Sequence, residues 1–327
     1  MRRWRRVLAC AAAVLAVPLL ALGGTAGWLL VENAGTPSPD ARGTGHDALW
    51  LGHDWATGTR SAADVTALVD RLRSARVRDV FVHAGPLSDD GSLHQSLHPR
   101  SLLTAIHSAL PGVRVQAWLG DVVGPSRLDI ADPATRGRVL GAAAQVLDDG
   151  FDGVHYDLEP VADGDRDYLT LLAATHVLTG DRGAVLSVAV DQLEPLPGMR
   201  FPARWVSSRP HFWSTGYLHD VALDVDEVAV MAYDSGVPIA AAYSGYVRRQ
   251  TSLAMAAVPS TVDLLIGVPA YHTDEPGHTS AETVAAAVRG VRLAWTGRPV
   301  GVAVYAEFAA TAGDWAAYYS GWVDPDT

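Results

Sequence analysis

The stretch from Asp132 to Pro160, DPATRGRVLGAAAQVLDDGFDGVHYDLEP, contains one full turn of the pattern that organises the whole chain. Asp132 is a helix-capping residue type and Pro133 suits the first helical position, so the spacing predicts a helix over Asp132 to Asp149. The short apolar run Gly153 to Leu158 (GVHYDL) then reads as a strand. Outward from this unit the same alternation recurs. Further strands are expected at Ala48 to His53, Asp79 to His83, Val113 to Leu119, Ala184 to Val190, Glu227 to Tyr233, Val262 to Val268 and Val300 to Tyr305. Helical periodicity lies between them, as in Ser61 to Arg76, where Ser61 and Asp64 have capping-box spacing. Strands apolar on both faces and alternating with helices imply a parallel sheet, and eight units in about 275 residues imply an α/β fold of the (β/α)8 TIM-barrel type. The competing doubly wound sheet needs a glycine-rich phosphate turn after its first strand, and Leu51 to Thr59 (LGHDWATGT) is not one.

A barrel of this kind carries its active site at the C-terminal strand ends. Alternation along strand four turns His155, Asp157 and Glu159 toward the barrel axis and Val154, Tyr156 and Leu158 toward the helices. Three ionisable side chains on one inward face are costly as mere structure, which marks this strand end for chemistry. The plainer alternative is a solvated strand end with a structural ion pair.

Composition narrows that chemistry. The chain has 327 residues, 49% hydrophobic and 19% charged, enough for a large core. All 25 basic residues are arginine, which removes Schiff-base, phosphate-loop and metal-bridging lysines. The single cysteine, Cys10, lies in the N-terminal apolar run, so neither disulfides nor thiolate sites are expected in the folded part. The net charge of -11 divides into +3 up to Asn33 (Arg2, Arg3, Arg5 and Arg6 against Glu32) and -14 beyond it. An acidic globular part argues against nucleic acid as a partner.

Residues 1–6 form an arginine-rich tip, and Val7 to Leu30 runs uncharged for 24 residues. As a helix that run would measure about 36 Å against a hydrocarbon core of roughly 30 Å, and the arginines would keep the tip cytoplasmic. A single N-terminal transmembrane anchor over residues 7–30 is therefore expected, with the rest on the extracytoplasmic side of the cell membrane. Cleavage near Gly24 and Ala26, giving a secreted protein, is the alternative. Residues 31–46, containing NAGTPSPDARGTG, read as a flexible tether, and residues 47–327 as the catalytic domain, expected to be monomeric.

The fourth strand resembles that of glycoside hydrolase family 18, the chitinase-like barrels, whose pattern is D-G-x-D-x-D-x-E. Asp152, Gly153, Asp157 and Glu159 match it, with His155 in place of the middle aspartate. A second family motif, M-x-Y-D at the end of strand six, appears as Met231, Ala232, Tyr233 and Asp234. The resemblance spans about Asp47 to Trp322. It implies that Glu159 is the general acid, that the 2-acetamido oxygen of the substrate is the nucleophile, and that Asp157 orients the acetamido group. It also implies that Tyr233 donates a hydrogen bond to that group and that Asp234 binds nearby polar groups of the sugar, with Met231 chiefly packing.

The chain departs from the family pattern on three strands. His155 is expected to hydrogen-bond Asp157; strand three offers Gln116 and Trp118 where the family has a serine and two glycines; strand eight offers Tyr305 as a sugar platform where the family has tryptophan. The substrate class implied is a β-linked N-acetylated oligo- or polysaccharide, cleaved with retention and without cofactor or metal.

Three rival readings stand beside this one. A metal-dependent barrel hydrolase or deacetylase would use the histidines at strand ends, His53, His83, His155 and His272, with His278 nearby. A glycosidase with two protein carboxylates would pair Glu159 with Asp274 or Glu275. A chitinase-like barrel that only binds sugar would not need Glu159. The segment Asp191 to Asp226 is expected to form one wall of the cleft, with Arg204, Trp205, His211 and Trp213 available to a ligand. Trp50, Trp55, Trp118 and Trp295 offer further stacking faces.

Overall fold

The computed structural model describes residues 24–199, 212–273 and 277–325. Its centre is a closed barrel of eight parallel strands in sequence order: β1 (Asp47–Leu51), β2 (Val77–His83), β3 (Arg114–Val122), β4 (Gly153–Glu159), β5 (Val185–Val190), β6 (Glu227–Met231), β7 (Asp263–Pro269) and β8 (Gly301–Tyr305). Every expected strand is present. Around the barrel lie α1 (Ala62–Ala75), α2 (Arg100–Ala109), α3 (Pro133–Asp148), α4 (Arg166–Gly180), α5 (Thr215–Ala222), α6 (Ala240–Ala257), α7 (Val284–Ala294) and α8 (Ala312–Tyr318). The expected caps form: Ser61 and Asp64 make a reciprocal capping box on α1, and Asp132 accepts from the Ala134 N–H with Pro133 opening α3.

Two apolar clusters follow from the period of two. Outward residues such as Val154, Tyr156 and Leu158 join the layer between sheet and helices. Inward residues, including Trp50, Phe81, Trp118, Ala229, Met231, Tyr233 and Leu265, fill the barrel. Asp152 and Gly153, the first two motif residues on strand four, act structurally. Asp152 Oδ2 accepts from the Val115 N–H at 2.7 Å and faces His107 Nε2 at 2.8 Å, which pins the start of β4 to β3. A Cβ on Gly153 would meet the Val185 carbonyl oxygen at 2.5 Å, so no larger residue fits where β5 crosses.

The N-terminal end of the barrel is closed by charge. Asp79 and Glu227 are fully buried there and paired with Arg78 and Arg114 at 2.6–3.0 Å.

Most of the expected membrane span, residues 7–23, lies outside the described residues. Its described end departs from the expectation. Residues 24–32 are helical, Leu29 is buried with Trp28 packed against the core, and a Cβ on Gly245 of α6 would lie 1.9 Å from the Leu29 carbonyl oxygen. Leu29 and part of Trp28 are thus covered by the barrel's own helix, while Leu30 and Val31 stay exposed. Among the described residues no helix is long and apolar enough to cross a membrane. The segment read as a tether makes fixed contacts: Arg289 donates to the Asn33 and Gly35 carbonyls, Arg292 to that of Ala41, and the Gly43 N–H to the Trp322 carbonyl.

Candidate active site

Register decides which side chains share the barrel mouth. Gly120 of β3 pairs with Asp157 and Val122 with Glu159, while His155 pairs with Ser187 of β5. Carried four residues further, that last pairing sets Asp191, just past the end of β5, beside Glu159. The two side chains are hydrogen-bonded to each other. A carboxyl-to-carboxyl hydrogen bond requires a shared proton, and here Asp191 is buried and Glu159 half-buried. Burial, then the charges of Asp157, Asp191 and Asp234, hold the Glu159 carboxyl well above the ordinary carboxylate range. Burial followed by the Asp157 charge pushes Asp191 up to about 7.

Asp157 lies on the same inward face. Burial raises it to about 6, opposed by a hydrogen bond from Trp118 Nε1 to its Oδ2 at 2.9 Å. Its other oxygen, Oδ1, is buried without a partner. Trp118 therefore serves Asp157 directly. Aromatic rings complete the mouth: Tyr233 stacks on Tyr305 at 5.4 Å and 16°, Tyr271 meets both edge-on, and Trp118 approaches Tyr305 edge-on at 6.1 Å. Tyr233 owes its room to Gly267, where a Cβ would fall 2.8 Å from the ring. Burial, with Tyr305 next to it, pushes the Tyr233 phenol upward, so it stays a proton donor at neutral pH. Met231 is buried among these rings and packs. Asp234 follows with a left-handed backbone (φ 54°), is half exposed, and accepts a 2.5 Å hydrogen bond from the Tyr271 hydroxyl.

Two expected sugar contacts lie elsewhere. His155 faces inward but sits one layer deeper than Asp157, fully buried and stacked on Phe81 at 3.7 Å. Trp50 Nε1 donates to its Nε2 at 3.2 Å and its Nδ1 lies 2.7 Å from Ser187 Oγ, so both ring nitrogens are used and neither reaches Asp157. Ser187 Oγ donates to Gln116 Oε1, which assigns the proton to His155 Nδ1, and burial lowers the imidazole to about 3. Gln116 is deeper still, its amide donating to Asp79 and Glu227. Both residues belong to a buried polar chain that ends on the charged floor.

The other histidines do not gather into one ring. His53 and His83 meet each other, and His272 pairs with Asp314 at 2.9 Å. Trp213 is buried, donating to the Val161 carbonyl, and Trp50 and Trp55 are core. Arg204, Trp205, His211, Asp274 and Glu275 lie outside the described residues.

Asp191 was the site residue missing from the sequence reading. The signal was available: Ser187, Ala189 and Asp191 alternate inward on strand five as Asp157 and Glu159 do on strand four, but the apolar run stops at Val190.

Neither a family model nor a curated protein sequence matches the chain. Solved structures do. The chain is similar to the spore cortex-lytic enzyme SleL of Bacillus megaterium, with a TM-score of 0.61 and 14% identity over 88% of this chain and 76% of that one. It is similar to a chitinase from Chromobacterium violaceum (0.58, 16%, covering 84% and 98%) and to a class V chitinase from Pseudomonas fluorescens (0.54, 14%, covering 84% and 99%). The chain has the fold of the chitinase-like barrels, the architecture to which its strand-four and strand-six motifs had pointed.

Proposed function

We propose that this chain is a glycoside hydrolase that cleaves β-linked N-acetylated sugars with retention, the substrate's acetamido oxygen acting as nucleophile. One arrangement carries the reading: half-buried Glu159 in hydrogen-bonding reach of buried Asp191, beside half-buried Asp157 with one unpartnered oxygen. Glu159, kept protonated at neutral pH, is the general acid for the leaving glycosidic oxygen. Asp191 hydrogen-bonds the carboxyl that must deliver the proton, and so positions it. Asp157 is largely ionised at pH 7 with a value near 6. A turn of the carboxylate toward the mouth brings its unpartnered Oδ1 to the acetamido N–H, where it stabilises the oxazolinium-like charge as the acetamido oxygen attacks the anomeric carbon. Tyr233 donates to the acetamido oxygen, Tyr305 and Trp118 offer ring faces to the sugar, and Asp234 binds its polar groups. In the second half-reaction the Glu159 carboxylate takes a proton from the incoming water, which restores the starting state.

The acidic domain suits a neutral glycan better than a polyanion, and the arginine-rich, apolar N-terminus supports an extracytoplasmic location, by a leader or an anchor. The test is incubation of the protein with chitin oligosaccharides, peptidoglycan and other N-acetylated glycans, with mass detection of products. Wild-type protein is expected to release shorter N-acetylated fragments. Glu159→Gln should reduce the rate by about 10²- to 10⁴-fold while sugar binding persists. Wild-type inertness toward the whole panel, or full activity in Glu159→Gln, contradicts the reading.

A further inference from the structure

Beyond β6 and β7, three chemically versatile side chains converge without satisfying one another. Asp234, His278 and Glu282 each direct a ligating atom into one space, the three atoms lying within 4.8 Å of each other. The His278 side chain is 4% exposed and that of Glu282 is fully buried. Yet His278 Nδ1 and Glu282 Oε2 have no hydrogen-bond partner. Nδ1 lies 3.6 Å from Asp234 Oδ1 and 3.8 Å from Glu282 Oε2, too far for a hydrogen bond in either direction. Two orphaned polar atoms buried side by side would each cost about 1–3 kcal/mol.

A cation between them removes that cost. Neighbouring ligands on a tetrahedral zinc ion, with bonds of about 2.0–2.2 Å, are separated by roughly 3.3–3.6 Å, against 3.6 and 3.8 Å from Nδ1 to the two carboxylates here. One imidazole and two carboxylates also neutralise a divalent charge. We propose that Asp234, His278 and Glu282 form a binding site for a single divalent transition-metal ion of the zinc type. The groups behind the ligands are already in place, as metal sites require. Glu282 Oε1 accepts from the Ser235 N–H and Oγ, both at 3.0 Å, and from the Gly236 N–H at 3.1 Å, which leaves Oε2 to the ion. The Tyr271 hydroxyl fixes Asp234, and its ring packs on His278 with centroids 4.4 Å apart. Half-exposed Asp234 provides the entry path, and water completes the coordination. The ion ties the turn after β6 to the segment after β7, and so holds Asp234 and its neighbour Tyr233 in place. It takes no part in bond cleavage; Asp234 is shared with the proposed sugar mouth, but metal binding is measured without substrate, so its failure is distinguishable from failure of the glycosidase reading.

The experiment uses the full chain, stripped with chelator and dialysed, then titrated with zinc chloride by calorimetry. Bound metal is measured by mass spectrometry after gel filtration. One equivalent of zinc and a raised melting temperature are expected, with affinity weakened about tenfold or more in His278→Ala and in Glu282→Gln. Glu282 also anchors a turn, so circular dichroism must show that its variant is folded; the His278 variant carries the test if it is not. Absence of zinc binding by the wild-type protein, or undiminished binding by His278→Ala, overturns the proposal. Parallel titrations with calcium and magnesium chloride test the class of ion, and tighter binding of either than of zinc overturns the assignment.

Discussion

At the residue scale the decisive arrangement is the carboxyl pair. Two carboxyl groups in contact and largely withdrawn from water resist ionising together, so Glu159, the acid of the proposed mechanism, is held toward its protonated form. The negative charge of Asp191 is one of the influences that raise Glu159. Replacing Asp191 with Asn keeps the size and a hydrogen-bonding group but removes that charge. The Glu159 carboxyl should then titrate lower, and the alkaline limb of the kcat profile should move to lower pH by about one unit. A pH-rate profile on any hydrolysed oligosaccharide measures this, and an unmoved limb would show that Asp191 does not tune the acid. Trp118 makes a similar point for Asp157. Trp118→Phe keeps the ring and loses the Nε1 donor, and is expected to lower kcat by about tenfold with KM little changed, since the lost bond acts on a group charged in the transition state. A change confined to KM would assign Trp118 to sugar binding alone.

At the element scale, the strand is the unit that makes the fold legible. Period-two and helical patterns predict all eight strands because a parallel strand is apolar on both faces whatever its neighbours. The same period tells which face a residue occupies but not how deep along the barrel it lies. His155 and Gln116 were expected at the mouth for that reason and lie below it, because depth depends on the stagger between strands, a tertiary quantity. Asp191 was hidden by the complementary limit, since it stands one residue past an apolar run whose end looked like the start of a loop. The charged floor was equally illegible: Arg78, Asp79, Arg114 and Glu227 come from three strands far apart in sequence. There Arg114→Met leaves buried Asp79 and Glu227 with the Arg78 guanidinium and the neutral Gln116 amide, and should destabilise the fold by about 3–5 kcal/mol, the range for breaking a buried ion pair. Urea denaturation reads the change, and a loss under about 1 kcal/mol would show the floor to be solvated.

At the scale of the whole molecule, the mouth stores a stability cost that the proposed function would explain. Asp157, Glu159 and Asp191 all have folded-state values above those of an unfolded chain. The folded state then holds more protons than the unfolded state once pH exceeds the ordinary carboxylate range. Stability contributed by this cluster therefore falls as pH rises from about 4 to 7, and no penalty remains where all three are protonated in both states. Asp191→Asn should melt roughly 3 °C higher than wild type at pH 8 and show no gain at pH 4. Equal melting curves at both pH values would mean that the cluster is solvated. Overall charge was legible from the start, since an acidic barrel behind a cationic N-terminus follows from counting residues. Residues 24–32 were not, because an apolar helix end reads alike whether lipid or a barrel helix covers it.

In the proposed mechanism the substrate's own acetamido group does the attacking, with Glu159 as acid. The most direct test is to follow cleavage of a β-linked N-acetylglucosamine oligosaccharide by proton NMR, beside the same oligosaccharide with its acetyl groups removed. The acetylated substrate is expected to be cleaved with the β-anomer of the product appearing first, and the deacetylated one to be left intact. Initial release of the α-anomer, or equal cleavage of both substrates, would contradict this mechanism.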